Sequence, residues 1–351
     1  MDSNRLVLVT GANGHLGRNL VPALVQRGYR VRATVRDTAD PARTAGLAMP
    51  GVELQSLDVS DERRFSEVAT GVDLLFHLAA TYKNYTSSAA EADEMVRDSI
   101  EGARAAVNAA ASKGVRRLVL TSSVVTLPLM PKGGRATTED DWRTDFRLPY
   151  HRAKTLAEQE AWRIARTRGV DMVAVLPGAL LGPGFTRSTS STDAVEAMLL
   201  GAFKAGVPDQ NFPAADVRDV VRGHVLAAES EAQGRFILCN DVLPSFSEMI
   251  RLLRQIDPSV PAPGPLIPRF ALPLVPLFDW INHRMLGTPR MVNRDFAAAV
   301  GGMHWTMSNE RARRELGWRQ EVPLEQSLAD TVAALRQLRA SAHRGPVPAT
   351  A

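Results

Sequence analysis

The chain contains little cysteine, lysine or tyrosine: one cysteine (Cys239), five lysines and four tyrosines among 351 residues. A single cysteine excludes an internal disulfide and a cysteine-rich metal centre, and we predict no metal site. Arginine supplies most of the positive charge and is scattered along the chain, so the net charge of +4 does not form a nucleic-acid-binding stripe. Disulfide-rich domains and basic nucleic-acid binders are therefore not expected.

Long apolar runs are also missing. The most apolar later stretch, PLIPRFALPLVPLFDWI, is divided by prolines into pieces far shorter than the roughly 20 residues of a membrane helix. The N-terminal residues MDSNR lead directly into an apolar run, without a signal-peptide pattern. We therefore expect a cytoplasmic protein with no membrane span.

Short aliphatic runs alternate with longer helical patterns in the first half of the chain. The apolar runs cover residues 5–10, 30–35, 52–57, 73–78, 117–122 and 171–177, and helical patterns cover 15–27, 89–113 and 150–168. Continuous Val and Leu without polar alternation is typical of strands buried on both faces. The alternation predicts a doubly wound, mostly parallel α/β sheet of the Rossmann type. Pro22 falls inside the first helical pattern and predicts a kink or a late helix start.

The pattern changes after about Pro183, where a Gly/Ser/Thr-rich stretch and then a proline-dense segment (258–276) follow. We predict an NAD(P)-binding domain at 1–183, a smaller substrate lobe interleaved with the sheet at 184–340, and a disordered tail at 341–351. The proline-dense segment is either a wall or lid of the substrate site or ordinary packing of the small lobe.

A glycine-rich loop, GANGHLG, follows the first predicted strand and opens the first predicted helix. Gly11 suits a tight turn, Gly14 a close backbone approach to a pyrophosphate, and Gly17 close packing of helix on strand. Free N–H groups at the helix N-terminus then attract the phosphates. The loop predicts a dinucleotide site, and the intervening residues included in it are Asn13, His15 and Leu16.

The second strand ends in VRATVRD, with Val35 where NAD-specific sites usually carry an acid. Arg36 can pair with a 2′-phosphate, so NADP(H) is favoured. In the alternative interpretation Asp37 binds the ribose, and NAD(H) is used. Asp58 is predicted to accept a hydrogen bond from adenine, with Val59 against the ring; Asp58 is alternatively the N-cap of the next helix.

Ten motifs occur in order between about residues 5 and 340: TGANGHLG, VRATVRD, DVSD, FHLAAT, SIEG, VRRLVLTSS, YHRAK, LPGALLGPG, DVRDVV and ERARRELGW. Together they resemble the extended short-chain dehydrogenase/reductase family (the NAD-dependent epimerase/dehydratase family), and most closely its dihydroflavonol 4-reductase-like branch. The resemblance implies a Rossmann fold, an NAD(P) cofactor with further contacts at Ala79 and Pro177, and a homodimer through the helices that flank Tyr150.

The resemblance also implies a catalytic set of Ser123, Tyr150 and Lys154, of which the last two are expected to contact the cofactor as well. Tyr150 would give a proton to the carbonyl oxygen, and Lys154, one helical turn away, would favour its phenolate and hold the nicotinamide ribose. Ser123 would hydrogen-bond the substrate oxygen, with Ser122 as the competing candidate. His151 is interpreted as a solvent-side neighbour, not as an acid or base.

Departures from the family pattern narrow the reaction. Dehydratases of the family carry Asp-Glu after the catalytic hydroxyl residue, whereas Val124 and Val125 here cannot transfer protons. Ser99 stands where many members have an asparagine. The chain is thus predicted to interconvert a ketone and a secondary alcohol on an apolar small molecule; the alternatives are a nucleotide-sugar epimerase and a non-catalytic NADP(H)-sensing regulator. Candidate substrate-side residues are Tyr82, Tyr85, Leu127, Met130, Leu180 and Phe185.

Overall fold

The computed structural model describes residues 5–80, 88–287, 297 and 301–343. The strands are β1 (Leu6–Thr10), β2 (Arg30–Val35), β3 (Val52–Ser56), β4 (Leu74–His77), β5 (Arg117–Thr121), β6 (Met130–Pro131), β7 (Met172–Pro177), β8 (Ala179–Leu181), β9 (Ala214–Asp216), β10 (Gly234–Leu238) and β11 (Met303–His304). The helices are α1 (His15–Gln26), α2 (Pro41–Thr44), α3 (Glu62–Val68), α4 (Ala89–Lys113), α5 (Pro149–Arg168), α6 (Ser190–Leu199), α7 (Val217–Glu229), α8 (Phe246–Ile256), α9 (Val275–Leu286), α10 (Glu310–Leu316) and α11 (Leu324–His343).

Seven parallel strands form the central sheet, in the order β10-β7-β5-β4-β1-β2-β3. The six strands predicted from the aliphatic runs are all present, and the predicted fold class is confirmed. The seventh strand, β10, comes from the C-terminal third of the chain and joins the edge of the sheet beside β7. The predicted substrate lobe therefore contributes one strand to the nucleotide-binding sheet.

Helices cover both faces of the sheet, which is why the strands β1, β4, β5 and β7 consist largely of buried apolar residues. On one face α3, α4 and α5 pack through small side chains such as Ala106 and Ala161. On the other face α1, α7 and α10 bury Leu20, Val220 and Leu316. Helices α4 and α5 pack on each other through alanines, and α5 also contacts the 3-10 turn at Val124–Thr126 that follows β5.

A smaller core forms around α6, α8 and α11, with Phe212, Met249 and Leu328 at its centre. Helix α8 begins with a capping box in which Ser245 and Glu248 bond each other's backbone N–H groups. Helix α11 continues to His343, so the predicted disordered tail at 341–351 begins too early. Residues 344–351 lie outside the described residues.

Two local predictions need correction. Helix α1 begins at His15 and continues through Pro22 to Gln26, so the late helix start is wrong. Asp58 is not the N-cap of α3, because Asp61 fills that position and accepts from the backbone N–H of Arg64. Both aspartates precede the helix within four residues, and the side chain nearer the first turn caps it.

The proline-dense segment becomes a loop, a 3-10 helix at Arg269–Leu274 and the first turn of α9. Its apolar side chains are largely exposed, Phe270 at 86% and Leu274 at 52%, so packing of the small lobe does not account for them. Cys239, directly after β10, is buried, and burial together with the nearby Asp241 raises its pKa to about 12. None of the described helices has the length and apolarity required to cross a membrane.

Candidate nucleotide-binding and catalytic site

A cleft opens at the carboxyl ends of β2, β3, β4 and β5, where doubly wound sheets bind nucleotides. Sequence order reverses at this point, because β1 has β2 on one side and β4 on the other. Five of the residues predicted for the site line the cleft: Arg36, Asp58, Val59, Ala79 and Lys154. Among the described residues, no group of three His, Cys, Asp or Glu side chains is arranged to hold a metal ion.

The glycine loop has the geometry that a pyrophosphate requires. Gly11 has a φ of +68°, and a Cβ on it would lie 2.8 Å from the Cα of Ala79 at the end of β4. A Cβ on Gly17 would lie 2.5 Å from the carbonyl oxygen of Gly11, so α1 reaches its position only with glycine there. Gly14 is the N-cap of α1 and supplies no side-chain cap, which leaves first-turn N–H groups available to an anion.

The other loop residues have structural partners as well. The carbonyl oxygen of Asn13 accepts from the Arg18 guanidinium at 3.2 Å. The ring of His15 donates from Nε2 to the carbonyl oxygen of Pro183 at 3.0 Å, and burial lowers its pKa to about 4. Leu16 is buried against the sheet. These contacts fix the loop; cofactor contacts by their side chains remain predictions.

The predicted adenine end of the cleft combines Arg36, exposed at the end of β2, with Asp58 and Val59 after β3. Asp58 accepts hydrogen bonds from the backbone and hydroxyl of Ser60, which with the charge of Arg36 lower its pKa. Val59 packs closely on Gly102 of α4, where a Cβ would lie 3.2 Å from it. Arg36 is thus a surface cation beside a carboxylate that stays ionised.

Tyr150 and Lys154 lie on successive turns at the start of α5. Lys154 reaches across to β5 and donates from Nζ to the carbonyl oxygen of Thr121 at 3.0 Å. Burial lowers the pKa of Lys154 to about 8, although the charge of Glu158 acts in the opposite direction. Tyr150 is half-buried and packs beside Met95 and Ala153. The helix thus presents the Lys154 ammonium to the end of β5, with Tyr150 one turn before it.

The two serines after β5 differ in their bonds. Ser123 begins the 3-10 turn Val124–Thr126, and its Oγ accepts from the N–H of Val125 at 3.3 Å. Ser122 donates its hydroxyl to the buried Glu158 carboxylate at 2.5 Å. The Ser123 hydroxyl is the acceptor in its hydrogen bond, so this bond does not use its proton, whereas the Ser122 hydroxyl proton is used in the bond to Glu158. This difference favours Ser123 as the donor to a substrate oxygen.

The interpretation of His151 as a solvent-side residue is wrong. Its ring is buried against Trp305, with centroids 6.5 Å apart, and its Nδ1 atom has no hydrogen-bond partner within the part of the chain that the structure describes. Burial and the nearby Arg143 guanidinium lower its pKa to about 3. The imidazole therefore stays neutral near neutral pH and cannot supply a proton as an imidazolium.

The remaining predicted residues are spread around the cleft. Pro177 ends β7 and is buried. Ser99 lines the cleft, and its hydroxyl donates to the carbonyl of Met95 at 2.7 Å. Among the substrate-side candidates Leu127 is fully buried in the core, Phe185 packs on His15, Met130 pairs with β11, and Leu180 packs partly buried against the core. Tyr82 and Tyr85 lie outside the described residues.

Sequence inspection missed three groups: Glu158 and His77, which line the cleft, and Arg235, the partner of Glu158. Glu158 lines the cleft one turn beyond Lys154, and the four-residue spacing on one helix is a signal that identifies it. Arg235 on β10 pairs with Glu158, and nothing near it in the sequence marks it. His77 also lines the cleft and bonds Thr10 at 2.9 Å, but burial lowers its pKa to about 3 and keeps it neutral.

The pKa of Lys154 predicts the alkaline side of the pH profile. With the predicted dinucleotide as the varied substrate, kcat/KM should fall as pH rises through about 8, because the Lys154 ammonium is lost. A Lys154→Arg variant keeps its charge in this range, so any activity it retains should lose that limb or show it at higher pH. An alkaline limb at the same pH in the arginine variant would contradict the assignment.

The fold and the cleft define a Rossmann-fold dinucleotide-binding protein. Residues 7–239 match the NAD dependent epimerase/dehydratase family, and the chain belongs to this family, the extended short-chain dehydrogenase/reductases, in their dihydroflavonol reductase-like branch. Cinnamoyl-CoA reductase 1 of Oryza sativa subsp. japonica is 34% identical over 271 residues, which are 74% of this chain and 78% of the relative. Tetraketide alpha-pyrone reductase 1 of Arabidopsis thaliana is 33% identical over 272 residues, 73% and 82% of the two chains.

A solved structure, the crystal structure of gox2253, superposes with a TM-score of 0.79 at 28% identity and covers 95% of this chain and 98% of its own. The predicted family and fold class are confirmed by these matches. Because the curated relatives are reductases, the protein is an NAD(P)-dependent oxidoreductase.

Proposed function

We propose that the protein is an NADP(H)-dependent reductase that interconverts a carbonyl and an alcohol on an apolar, aromatic small molecule. One observation carries the proposal: Tyr150 and Lys154 stand on successive turns of α5, and Lys154 is bonded to β5 just before Ser123, inside the nucleotide cleft. The proposal assigns Tyr150 as the proton donor, Lys154 as the cation and Ser123 as the hydroxyl donor.

The residues fit a nicotinamide dinucleotide, since Gly11 takes a left-handed φ of +68° in the loop and α1 begins at Gly14 with no side-chain cap on its first-turn N–H groups. The bound nicotinamide supplies the hydride that reduces the carbonyl carbon. In reduction Tyr150 donates its phenolic proton to the carbonyl oxygen, and the Lys154 ammonium stabilises the phenolate that remains. Ser123 donates a hydrogen bond to the same oxygen as negative charge develops there.

The neighbouring residues support reduction over the other activities of the fold. Val124 and Val125 offer no group for the proton transfers of a dehydratase. The intact Tyr150 and Lys154 pair argues against a non-catalytic NADP(H) sensor. The relatives are named for cinnamoyl-CoA and for a tetraketide alpha-pyrone, and these two compounds support an aromatic secondary metabolite as the proposed substrate class.

The test is a panel of carbonyl compounds with NADPH and NADH, followed by the absorbance of the reduced nicotinamide. It includes an aromatic acyl thioester, an α-pyrone polyketide, aromatic ketones, quinones and aliphatic ketones. Stoichiometric NADPH oxidation by aromatic ketones supports the proposal, whereas oxidation by the thioester alone would indicate release of a thiol and an aldehyde and not the proposed reaction. No oxidation with any member, or conversion of a UDP-sugar by tightly held NAD without net consumption of nicotinamide, would rule it out in favour of a sensor or an epimerase.

Arg36 should decide cofactor preference. Arg36→Ala removes the cation proposed to bind the 2′-phosphate, so kcat/KM for NADPH should fall about 10–100-fold, the range of a charge-assisted hydrogen bond. The value for NADH should change little, because NADH has no such phosphate. Arg63→Ala on α3, where the side chain is 80% exposed, removes the same charge outside the cleft and serves as control. Equal losses with both cofactors would contradict the assignment.

A further inference from the structure

A buried ion pair connects the catalytic helix to the edge strand of the sheet. Glu158 on α5 is 1% exposed, and its Oε1 accepts from Nε of Arg235 on β10 at 2.7 Å. The second carboxylate oxygen accepts from Nη2 of Arg235 at 3.3 Å. Trp162 adds a hydrogen bond from its indole N–H at 3.2 Å. The Glu158 carboxylate thus has a partner at each oxygen.

The Arg235 guanidinium is held on every side. Its Nη1 donates to the carbonyl oxygens of Glu139 and Asp141 at 2.7 and 2.8 Å, and its plane stacks on Trp142 at 3.7 Å. Its Nη2 donates also to the hydroxyl of Thr126 at 2.7 Å. All five N–H groups of the guanidinium therefore have acceptors, which fixes the orientation of the side chain.

The pair reaches the predicted catalytic serine from both sides. Ser122 donates to Glu158 at 2.5 Å. Thr126, which accepts from Arg235, donates its own proton to the carbonyl oxygen of Ser123 at 2.9 Å. The short segment that carries Ser123 is therefore bonded through Ser122 to the glutamate and through Thr126 to the arginine.

We propose that the Glu158–Arg235 pair positions Ser123 against Tyr150 and Lys154, acting through Ser122 and Thr126. The inference rests on the proposed function of Ser123. Stability alone is a weak reason for such a pair, because replacing buried ion pairs with apolar side chains is often neutral or favourable. Catalysis requires a fixed distance between two elements, because Tyr150 and Lys154 belong to α5 whereas Ser123 follows β5. Glu158 is on the same helix as Tyr150 and Lys154, so its bonds hold that helix to the segment with Ser123.

Thr126 offers the sharpest test because it carries no charge and is not part of the cleft lining. Thr126→Val keeps the shape but loses the bonds to Arg235 and Ser123, whereas Thr126→Ser keeps both hydroxyl bonds and loses a methyl group. With a panel ketone that the wild type reduces, kcat should fall about tenfold or more in the valine variant and stay within about twofold in the serine variant. The Kd of NADPH should stay within about twofold in both.

Glu158→Gln tests the charged half and should lower kcat at least about tenfold. Its matched control is Asp171→Asn, which weakens another carboxylate pair to a buried arginine, Arg117, at the start of the same strand β5, with an Nε–Oδ2 distance of 2.8 Å. The control should lower the melting temperature but leave kcat unchanged. If Thr126→Val and Glu158→Gln lower only the melting temperature, or if serine and valine at 126 lose equal activity, the positioning role is refuted.

A crystal structure of each Thr126 variant gives a readout that needs no substrate. In the valine variant Ser123 should shift relative to Tyr150 and Lys154, and in the serine variant it should not. An unmoved Ser123 in the valine variant would overturn the proposal even if every panel compound proved inert. If the wild type reduced no panel compound but Ser123 was displaced in the valine variant, the proposed function would be refuted. The positioning of Ser123 by the ion pair would still be supported.

Discussion

Tyr150→Phe should reduce turnover with NADPH and an aromatic ketone by about 10²–10⁴-fold, the range of a positioned general acid. The change removes one oxygen atom and leaves the ring, which packs with Met95 and Ala153 on the surface between α4 and α5. Hydride transfer without a proton donor leaves an alkoxide, which Lys154 and Ser123 are expected to stabilise but cannot protonate as Tyr150 does. The variant should therefore fold and bind NADPH as the wild type does.

The measurement combines steady-state kcat with titration of NADPH by its fluorescence. Tyr29→Phe is a matched control, because the Tyr29 hydroxyl donates to Glu229 at 3.0 Å on the outer surface, between the end of α1 and α7. That variant should keep full activity. Turnover of Tyr150→Phe above about one tenth of wild type would show that another group delivers the proton, and would remove Tyr150 from the mechanism.

The second large effect is expected at Gly17. In Gly17→Ala the new Cβ would lie 2.5 Å from the carbonyl oxygen of Gly11 and 2.6 Å from that of Ala12, and both oxygens belong to the backbone. Helix α1 must therefore move away from the loop, which costs about 1–3 kcal/mol of stability as overpacking does. The displacement also moves the first-turn N–H groups, so NADPH should bind about 100-fold more weakly.

A control substitution at a glycine with open space around it separates the loss of stability from the loss of NADPH affinity. Gly114 ends α4 with a φ of +65°, and a Cβ added there would meet no atom of the described residues within 4 Å. Gly114→Ala therefore carries only the cost of left-handed backbone, about 1–2 kcal/mol. Its melting temperature should fall while its NADPH affinity stays unchanged. If Gly17→Ala bound NADPH as tightly as Gly114→Ala, α1 would not be the phosphate-binding helix.

Local sequence patterns were sufficient for the central part of the fold. Strands β1, β4, β5 and β7 are nearly continuous apolar runs because helices cover both faces of the sheet. The spacing of the glycines in the loop is a local pattern, although Gly11 is also required by its close approach to Ala79. Strand β10 was missed because it pairs with β7 only after a crossover that spans residues 178–233. Nothing local specifies that pairing.

The residues of the site likewise divide into those that a local sequence pattern predicts and those that depend on distant partners. The four-residue spacing of Tyr150 and Lys154 predicts their shared helical face, and the structure places Lys154 in the cleft. The burial of His151 depends on Trp305, and the orientation of Ser122 depends on Glu158, partners far away in the sequence. Such partners follow from the packing of α5 on the sheet, which a local pattern does not contain.

The single thiol of the chain allows the opening of the edge strand β10 to be measured. Cys239 follows β10, its carbonyl oxygen accepts from Asn309 at 2.9 Å, and its raised pKa and burial protect it from alkylation in the closed state. The Cys239 thiol can therefore be modified only when the strand that carries Arg235 opens locally. The native, unmutated protein thus carries its own probe, and the rate of thiol labelling with and without NADPH reports how strongly nucleotide binding is coupled to the opposite edge of the sheet.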